Sequence, residues 1–405
     1  METVDIIVKN ANELITLKGP NTPRTKGQMS NLSIIEHGSV AVKDGKIIET
    51  GKNLQYKAEK TIDATGKTVM PGFVDPHTHV VFAGSREFEL DMKLKGLSYM
   101  EILKKGGGIF YTVNETRKAT NESLLKQSKN RLDAMLLYGT TTCEAKSGYG
   151  LDTDTELKIL KAQKKLNETH KIDIVSTFLG AHAVPKNIDS DEYVNLVIGE
   201  MLPQTKGLAQ FCDVFCEKGV FTVEQSKRIL EAGKAVGLTP KIHADEIVDT
   251  GGAALAAEIG AISADHLLMS NDKGLKQMVK NGTIGVMLPG TPFSLMMKEY
   301  APVRKMIDLG VPIALATDLN PNCWIENMQF IIQLACLNMK MTPAEAVTAS
   351  TFNAACAIGL QDNIGSLGKG KQADVIILDC PNHMFLPYHY GINLVETVIK
   401  KGIII

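Results

Sequence analysis

The chain alternates apolar and polar positions in two different ways along its length. Over the first 67 residues, short runs with a two-residue period are separated by polar turns, which is the pattern of half-buried antiparallel strands. Five such strands are predicted, at 5–8, 13–17, 39–43, 46–50 and 60–63. Asp44-Gly45 separates the third strand from the fourth. Because both positions tolerate positive φ, a tight hairpin is expected there.

From residue 68 onward, apolar strand-like runs alternate with helical periodicity, which is typical of β/α units and a parallel sheet. Eight such runs are found, at 68–75, 140–145, 172–178, 211–216, 239–243, 262–265, 283–287 and 312–316. Helical patterns between them include 121–138, 153–166, 222–236 and 273–280. Eight β/α units close a barrel. The sequence therefore predicts an α/β fold whose main domain, residues 68–360, is a (β/α)8 barrel.

The last part of the chain returns to strand-like texture. Apolar runs at 373–378 and 394–400 lie among glycine-containing turns and have no helical partners. The simplest arrangement pairs them with the N-terminal strands. We therefore expect residues 1–67 and 361–405 to form a composite β-sandwich domain.

Composition excludes several classes of partner. The 405 residues are 44% hydrophobic and 22% charged, an ordinary balance for a globular protein, and the net charge of -1 favours neither nucleic acid nor an anionic membrane. No apolar run reaches the roughly 18 residues of a spanning helix. The seven cysteines are odd in number and scattered, so they do not suggest a disulfide framework. We expect a cytoplasmic protein with no nucleic-acid or membrane partner.

Polar residues at the predicted strand ends form a candidate metal site. His77 and His79 follow the first barrel run, and side chains two apart on an extended strand point to the same side. His243 ends the fifth run and Asp318 follows the eighth, so all four can converge at one end of a barrel. Taken singly, each histidine could be a hydrogen-bonded core residue. Five of the nine histidines lie at or just beyond predicted strand ends, which favours an N₃O site for zinc or a similar ion.

Hydrolysis at such a site also needs a group that transfers protons. Glu246 lies three positions beyond His243, and His266 follows the sixth run. Either can act as a general base. Alternatively, either can support His243 or Asp318 as a hydrogen-bond partner of a ligand. The sequence leaves these alternatives open.

Three further residues are candidates for substrate binding. Arg86, in the loop after His79, can clamp a carboxylate, although a surface ion pair is an equal alternative. Tyr149 lies in a glycine-flanked loop after the second run and is expected to hydrogen-bond the substrate. His182 ends the third run and can contact substrate or metal. The glycines at 106–108 lack a preceding strand and a following Lys-Ser/Thr, so they indicate a flexible loop near the site and not a phosphate cradle.

Segments 69–79 and 365–379 resemble the amidohydrolase superfamily, and the resemblance covers essentially the whole chain. It implies a TIM-like metallo-hydrolase barrel with a β-sandwich. The segments 75–86, 146–151, 178–185, 243–246, 264–266 and 317–321 resemble one branch more specifically. That branch hydrolyses the cyclic amide of 4-imidazolone-5-propanoate to N-formimidoyl-L-glutamate in histidine degradation, so the expected partner is this small imidazolone carboxylate.

The resemblance also implies roles for individual residues. The expected ligands of one Zn or Fe ion per subunit are His77, His79, His243 and Asp318. The expected substrate contacts are Arg86, Tyr149, His182, Glu246, Asn320, Asn322 and Cys323. The expected catalytic residues are Glu246, His266 and Asp318. The family pattern has Gly and then Ser or Thr where this chain has Asn322 and Cys323, which puts a hydroxyl contact at position 323 in doubt.

The same residues are compatible with other numbers of metal ions and with other functions. Binuclear superfamily members carry a modified lysine after the fourth strand, where this chain has Cys216-Glu217, so one metal is favoured. A different cyclic amidohydrolase or an aminoazole deaminase is the nearest alternative, and ammonia release would identify the deaminase. A non-catalytic assembly protein of the same fold is disfavoured because all four ligand types are retained. A homodimer is the usual outcome for such enzymes.

Overall fold

The computed structural model describes residues 2–97 and 99–405, and their strands, numbered in chain order, form two sheets of eight. The first sheet contains β1 (Thr3–Ile15), β2 (Ile34–Lys43), β3 (Lys46–Gly51), β4 (Lys57–Asp63), β5 (Thr68–Pro71), β14 (Val375–Leu378), β15 (Val395–Lys400) and β16 (Ile403–Ile404). The second contains β6 (Phe73–Asp75), β7 (Thr140–Lys146), β8 (Asp173–Ala181), β9 (Phe211–Cys216), β10 (Thr239–Ala244), β11 (Ser263–His266), β12 (Ile284–Met287) and β13 (Ile313–Leu315).

The helices lie mostly between the strands of the second sheet. They are α1 (Glu87–Leu94), α2 (Tyr99–Lys104), α3 (Ile109–Lys118), α4 (Asn121–Leu137), α5 (Thr153–Thr169), α6 (Ser190–Leu196), α7 (Val223–Ala235), α8 (Gly252–Ile259), α9 (Asp272–Asn281), α10 (Gly290–Ser294), α11 (Val303–Leu309), α12 (Met328–Met339), α13 (Pro343–Ala349) and α14 (Phe352–Ala357). The four predicted helices correspond to α4, α5, α7 and α9 within a few residues. Thr342 caps α13 through a capping box with Glu345, as the local sequence indicates.

The second sheet is the predicted parallel barrel. Its strands are ordered β6 to β13 by sequence, and every neighbouring pair is parallel. The two ends meet just beyond β6 and β13, where Thr78 and Leu319 form a parallel bridge. There the His79 N–H donates to Leu319 O at 2.8 Å and the Asp318 N–H donates to His77 O at 3.1 Å. The expectation of an eight-stranded barrel is confirmed.

One predicted strand is wrong, because the run 68–75 is two strands in different sheets. The chain changes sheets at Gly72, whose N–H donates to Asp374 O at 3.0 Å, while the next N–H, of Phe73, donates to Gly139 O at 2.9 Å. β5 pairs with β1 and β14, and β6 alone joins the barrel. Apolar residues are buried on both sides of the change, so hydrophobicity does not mark it. The domain division at 67/68 and 360/361 stays a prediction.

The first sheet joins the two ends of the chain. β14 pairs antiparallel with β5 and with β15, so C-terminal strands continue a sheet begun by N-terminal ones. The two runs predicted at 5–8 and 13–17 are one long strand, β1, interrupted by a bulge where Asn10 has φ 62°. Asp44 and Gly45 have φ 49° and 72°, which confirms the tight hairpin. Among the described residues, no helix is long and apolar enough to cross a membrane.

The change of sheets at Gly72 gives a prediction about stability. A Cβ atom at this position would lie 2.3 Å from Thr141 Cγ2 and 2.5 Å from Thr141 Oγ1. We expect Gly72→Ala to lower the free energy of unfolding by about 1–3 kcal/mol, as overpacking of a core does. Denaturant unfolding measures it, with Gly199→Ala as the matched control because a Cβ there meets nothing within 4 Å. Equal stability of the two variants would contradict the prediction.

Candidate metal centre

The four predicted ligands meet at the end of the barrel where its strands terminate. His77 and His79 follow β6, His243 lies in β10 and Asp318 follows β13, and all four are buried. One nitrogen from each of the three histidines lies within 4.8 Å of the others. Asp318 Oδ1 is 3.5 Å from His77 Nε2 and 3.7 Å from His79 Nε2. Residues separated by up to 241 positions in the chain thus form one cluster.

The donor atoms of this cluster fit a divalent cation. His77 Nε2, the nitrogen on the side of Asp318, is a buried polar atom without a hydrogen-bond partner. Such atoms are costly unless something binds them. Burial lowers the pKa of His77 and of His79 well below the usual value, so both imidazoles are neutral and keep a lone pair. Three imidazoles and a carboxylate suit Zn²⁺ or another first-row ion.

Two buried aspartates contact two of the predicted ligand histidines. His77 Nδ1 is 2.6 Å from Asp265 Oδ2, and His243 Nδ1 is 3.1 Å from Asp213 Oδ2. With each Nδ1 bonded to a carboxylate, the Nε2 atom is the one left for a metal. Burial lowers the pKa of His243, but Asp213 more than offsets this and the pKa is raised. Asp213 therefore stabilises positive charge on this imidazole, whether a proton or a metal ion supplies it.

A network of buried charges underlies these aspartates. Lys146 Nζ is 2.7 Å from Asp213, 2.8 Å from Glu144 and 3.4 Å from Asp265. Lys241 Nζ is 3.3 Å from Glu144 and donates to Pro76 O at 3.0 Å. All five side chains have zero exposure, so each charge depends on its partners. The pairing fixes the carboxylates that in turn fix the histidines.

Sequence reasoning gave this network no role. The signal that could have found it is a charged residue inside a predicted barrel strand, as with Glu144 and Lys146, two positions apart in β7, and Asp213 in the otherwise apolar β9. Such residues face the inside of the barrel, since neighbours on a strand point to opposite sides.

The loop that carries Asp318 is braced on both sides. Thr291 Oγ1 donates to Asp318 Oδ2 at 2.5 Å, and Thr317 donates to Asp75 through its N–H at 3.1 Å and its hydroxyl at 2.6 Å. Asp318 has φ 54°, and His266 has φ 75°. Non-glycine residues in this left-handed region are strained and persist only when the surroundings hold them. Both lie directly at the ends of barrel strands, where they aim side chains into the site.

The two candidate proton-transfer residues lie together beside the ligands. His266 Nε2 is 3.6 Å from Glu246 Oε2, and the His266 ring is 5.3 Å from that of His243. Glu217 accepts from the Ile247 N–H at 2.9 Å and so holds the backbone next to Glu246. Burial raises the pKa of Glu246 to about 8, whereas burial lowers the pKa of His266 well below its usual value. Of the two, Glu246 is the group that can change protonation near neutral pH.

Tyr149 and His182 complete the wall next to His79. The His182 ring stacks on that of His79 with centroids 4.9 Å apart, and the Tyr149 ring lies 5.5 Å from that of His79. Buried Glu156 holds the Tyr149 loop by accepting from the N–H groups of Gly148, Gly150 and Leu151.

The position before Tyr149 requires glycine. Gly148 has φ 104°, and a Cβ there would lie 2.8 Å from His182 Nδ1. Burial raises the pKa of Tyr149, so its phenol stays protonated and can donate a hydrogen bond.

Arg86 and Asn322 border a cavity of about 860 Å³ at the mouth of the barrel. Arg86 is also bound to Glu89, with Nε donating to Oε1 at 2.7 Å and Nη2 to Oε2 at 2.8 Å. The arginine is therefore in an ion pair, although a buried one and not the surface pair considered from the sequence, and its contact with a substrate carboxylate stays a prediction. Glu89 also accepts from the Gly108 N–H at 2.6 Å, so the glycine loop lies near the mouth as expected.

Asn320 and Cys323 do not border this cavity. The Asn320 amide donates to Asp318 O at 2.7 Å and accepts from the N–H groups of Asn322 and Cys323. The Cys323 thiol is fully buried and lies 3.6 Å from Thr317 O. These contacts brace the loop that carries Asp318. A substrate contact by either side chain stays a prediction.

Comparisons with known proteins agree with the architecture. Sequence models of the Amidohydrolase family match residues 214–405 and 60–100. The imidazolonepropionase of Geobacillus kaustophilus is 54% identical over 98% of this chain and 97% of its own length. That of Alkaliphilus metalliredigens is 53% identical over the same shares of the two chains.

Solved structures share the fold at much lower identity. A zinc-bound adenosine deaminase from Xanthomonas campestris has a TM-score of 0.74 at 18% identity and covers 100% of this chain and 93% of its own. A triazine hydrolase variant has a TM-score of 0.75 at 15% identity, with 98% and 94% covered. At such identities the likeness concerns the fold alone.

The aspartate contact to His77 predicts the behaviour of a variant. We expect Asp265→Asn to weaken metal affinity about 10- to 100-fold, because the amide no longer fixes the imidazole as the carboxylate does. Competition with a chromophoric chelator measures the affinity, and thermal unfolding checks the fold. Asp308→Asn is the control, since the Asp308 side chain is 68% exposed. Unchanged affinity in a folded Asp265→Asn protein would show that the aspartate does not act on the metal site.

Proposed function

This chain belongs to the imidazolonepropionase family of the amidohydrolases, and we propose that the four ligands described above hold the one divalent ion that its reaction requires. The protein hydrolyses the cyclic amide C–N bond of 4-imidazolone-5-propanoate to give N-formimidoyl-L-glutamate, in histidine degradation. The observation that carries the proposal is the convergence of two neutral imidazoles, a third paired with Asp213 and the Asp318 carboxylate at one buried point.

The bound ion would supply Lewis acidity and a water whose pKa is lowered to about 7. We propose Zn or Fe, since the same donor set serves either. A single ion per subunit is supported by the end of β9, where this chain has Glu217 and not the modified lysine of binuclear superfamily members. The Glu217 carboxylate there accepts from the N–H groups of Lys218 and Ile247. Elemental analysis of the purified protein tests both statements.

Glu246 is proposed as the general base. Its pKa of about 8 lies close to neutral pH, where a proton can be both taken up and released. It would accept the proton of the attacking water at a carboxylate oxygen and deliver it to the ring nitrogen that leaves. His266, 3.6 Å away and neutral, would hold Glu246 and the attacking water in position and stabilise the developing negative charge with its N–H. Asp318 would act both as a ligand and as an acceptor for that water.

The remaining residues are proposed to orient the imidazolone. Tyr149 and His182 line one side of the site next to His79 and present a phenol and an imidazole to the ring. Arg86 would bind the propionate tail with the part of the guanidinium that Glu89 does not use. Asn320, Asn322 and Cys323 would contribute through the loop that they brace, mainly by main-chain groups.

The homodimer and the cytoplasmic location also remain proposals. Light scattering on the purified protein tests the first, and fractionation of the producing cells tests the second.

The proposed proton transfer predicts a kinetic effect without metal loss. We expect Glu246→Gln and His266→Ala to lower kcat about 10²- to 10⁴-fold while the metal content stays at one per chain. The decay of imidazolone absorbance gives the rate, and elemental analysis gives the metal. Because Glu231→Gln removes a carboxylate from the outer helix α7, it serves as the control. Loss of metal together with rate would instead assign these residues a structural role.

The proposed tail contact predicts a binding effect. We expect Arg86→Gln to raise KM about 10- to 100-fold with little change in kcat, because the tail lies away from the reacting bond. Glutamine can still donate one hydrogen bond to Glu89, which limits the structural damage. Arg228→Gln, at a partly exposed ion pair with Asp191, is the control. An unchanged KM would refute the contact.

A further inference from the structure

Two cations border the cavity at the barrel mouth, and their charges are balanced differently. The guanidinium of Arg86 is bound through two N–H groups to Glu89, whose side chain is only 2% exposed. Arg86 and Glu89 together are therefore a neutral pair. An anion that enters the cavity meets the guanidinium with its charge already offset by a buried carboxylate.

Lys93 is the second cation, and its charge is not offset in this way. It lies on α1, one turn beyond Glu89, and its Nζ donates to the side-chain oxygen of Asn322 at 2.9 Å. Among the residues that the structure describes, no carboxylate oxygen lies within 4 Å of Lys93 Nζ. Burial lowers the pKa of Lys93; Glu89 opposes this and Arg86 adds to it. The ammonium is thus partly desolvated, with a neutral amide as its hydrogen-bond partner.

The surroundings of Lys93 suit a small anion. Lys93, Arg86 and Asn322 border the same cavity, whose other side is formed by apolar groups that include Phe293 and Trp324. Apolar walls reduce the local dielectric and strengthen the attraction between an ammonium and a carboxylate. Exposed Glu87 also borders the cavity, and its carboxylate accepts from Ser85. An ammonium has three donors, so two remain when Asn322 accepts one.

We propose that Lys93, held in place by Asn322, binds the carboxylate of the substrate together with Arg86 and sets the preference for a charged side chain on the ring. This inference rests on the proposed role of Arg86 at the same cavity. Asn322 is a positioning residue in this scheme. Its side-chain oxygen is the acceptor that holds Lys93 Nζ at 2.9 Å.

The test compares two substrates on the metal-loaded enzyme. One is 4-imidazolone-5-propanoate, and the other is its propanamide analogue, which has no charge on the side chain. We expect Lys93→Met to raise KM for the propanoate about 10- to 100-fold, as the loss of one charge-assisted hydrogen bond does, and to lower the preference for propanoate over propanamide by the same factor. Lys93→Arg should keep most of the preference.

Lys95→Met is the matched control, because Lys95 lies just after the same helix, pairs with Asp91 and is 67% exposed. It should leave both KM values unchanged. Asn322→Gly should lower the preference less than Lys93→Met, because the cation stays but loses its acceptor.

Three outcomes separate this inference from the proposed function. If Lys93→Met raises KM for both substrates by the same factor, the contact between Lys93 and Asn322 only holds α1 against the loop. That result would overturn the inference. If Arg86→Gln lowers the preference and Lys93→Met does not, the inference fails and the proposed role of Arg86 stands. If neither variant lowers it, both fail.

Discussion

The closure of the barrel is the constraint on which the site depends. Just beyond the first and eighth strands, the last backbone hydrogen bonds between them join His79 to Leu319 and Asp318 to His77. Three of the four proposed metal ligands, His77, His79 and Asp318, make the hydrogen bonds that close the sheet. Any shift of register at this closure would separate the ligands, because a one-residue slip turns every side chain to the other face. The barrel and the metal centre are in this sense one structural feature.

Deeper in the barrel, ion pairs between side chains hold the histidines of the site in place. Asp265 and Asp213 direct one nitrogen of His77 and one of His243 toward the site, and Lys146 holds both aspartates. The charged side chains of this network have zero exposure, so removal of one partner would leave a buried charge uncompensated. The network therefore offers rigidity more than net stability. A rigid site keeps the ligands close to the geometry that a metal needs before the metal binds.

At the mouth of the barrel, one cation is paired with a carboxylate and another is not. Arg86 is neutralised by Glu89, and this pairing also ties the glycine loop to α1 through the Gly108 N–H. Lys93 has a neutral amide as its hydrogen-bond partner and no carboxylate in direct contact among the described residues. The deep part of the site thus has its charges paired within the protein, while the mouth leaves one cation for the substrate. This difference between the deep part and the mouth fits a reaction that needs a fixed metal ion and a small anionic substrate.

The sequence by itself determined the eight strands of the barrel and the joining of the chain ends, and it predicted the four ligand residues, since these follow from periodicity and from side-chain type at strand ends. Hydrophobicity could not show that the chain leaves one sheet and enters the other at Gly72, because the residues on both sides of that change are apolar and buried. Only the tertiary structure decided how charges are paired. Asp213, Lys146, Glu89 and Lys93 acquire their roles from contacts with residues on other elements or from their shared cavity, and partner distances cannot be read from a linear order of residues.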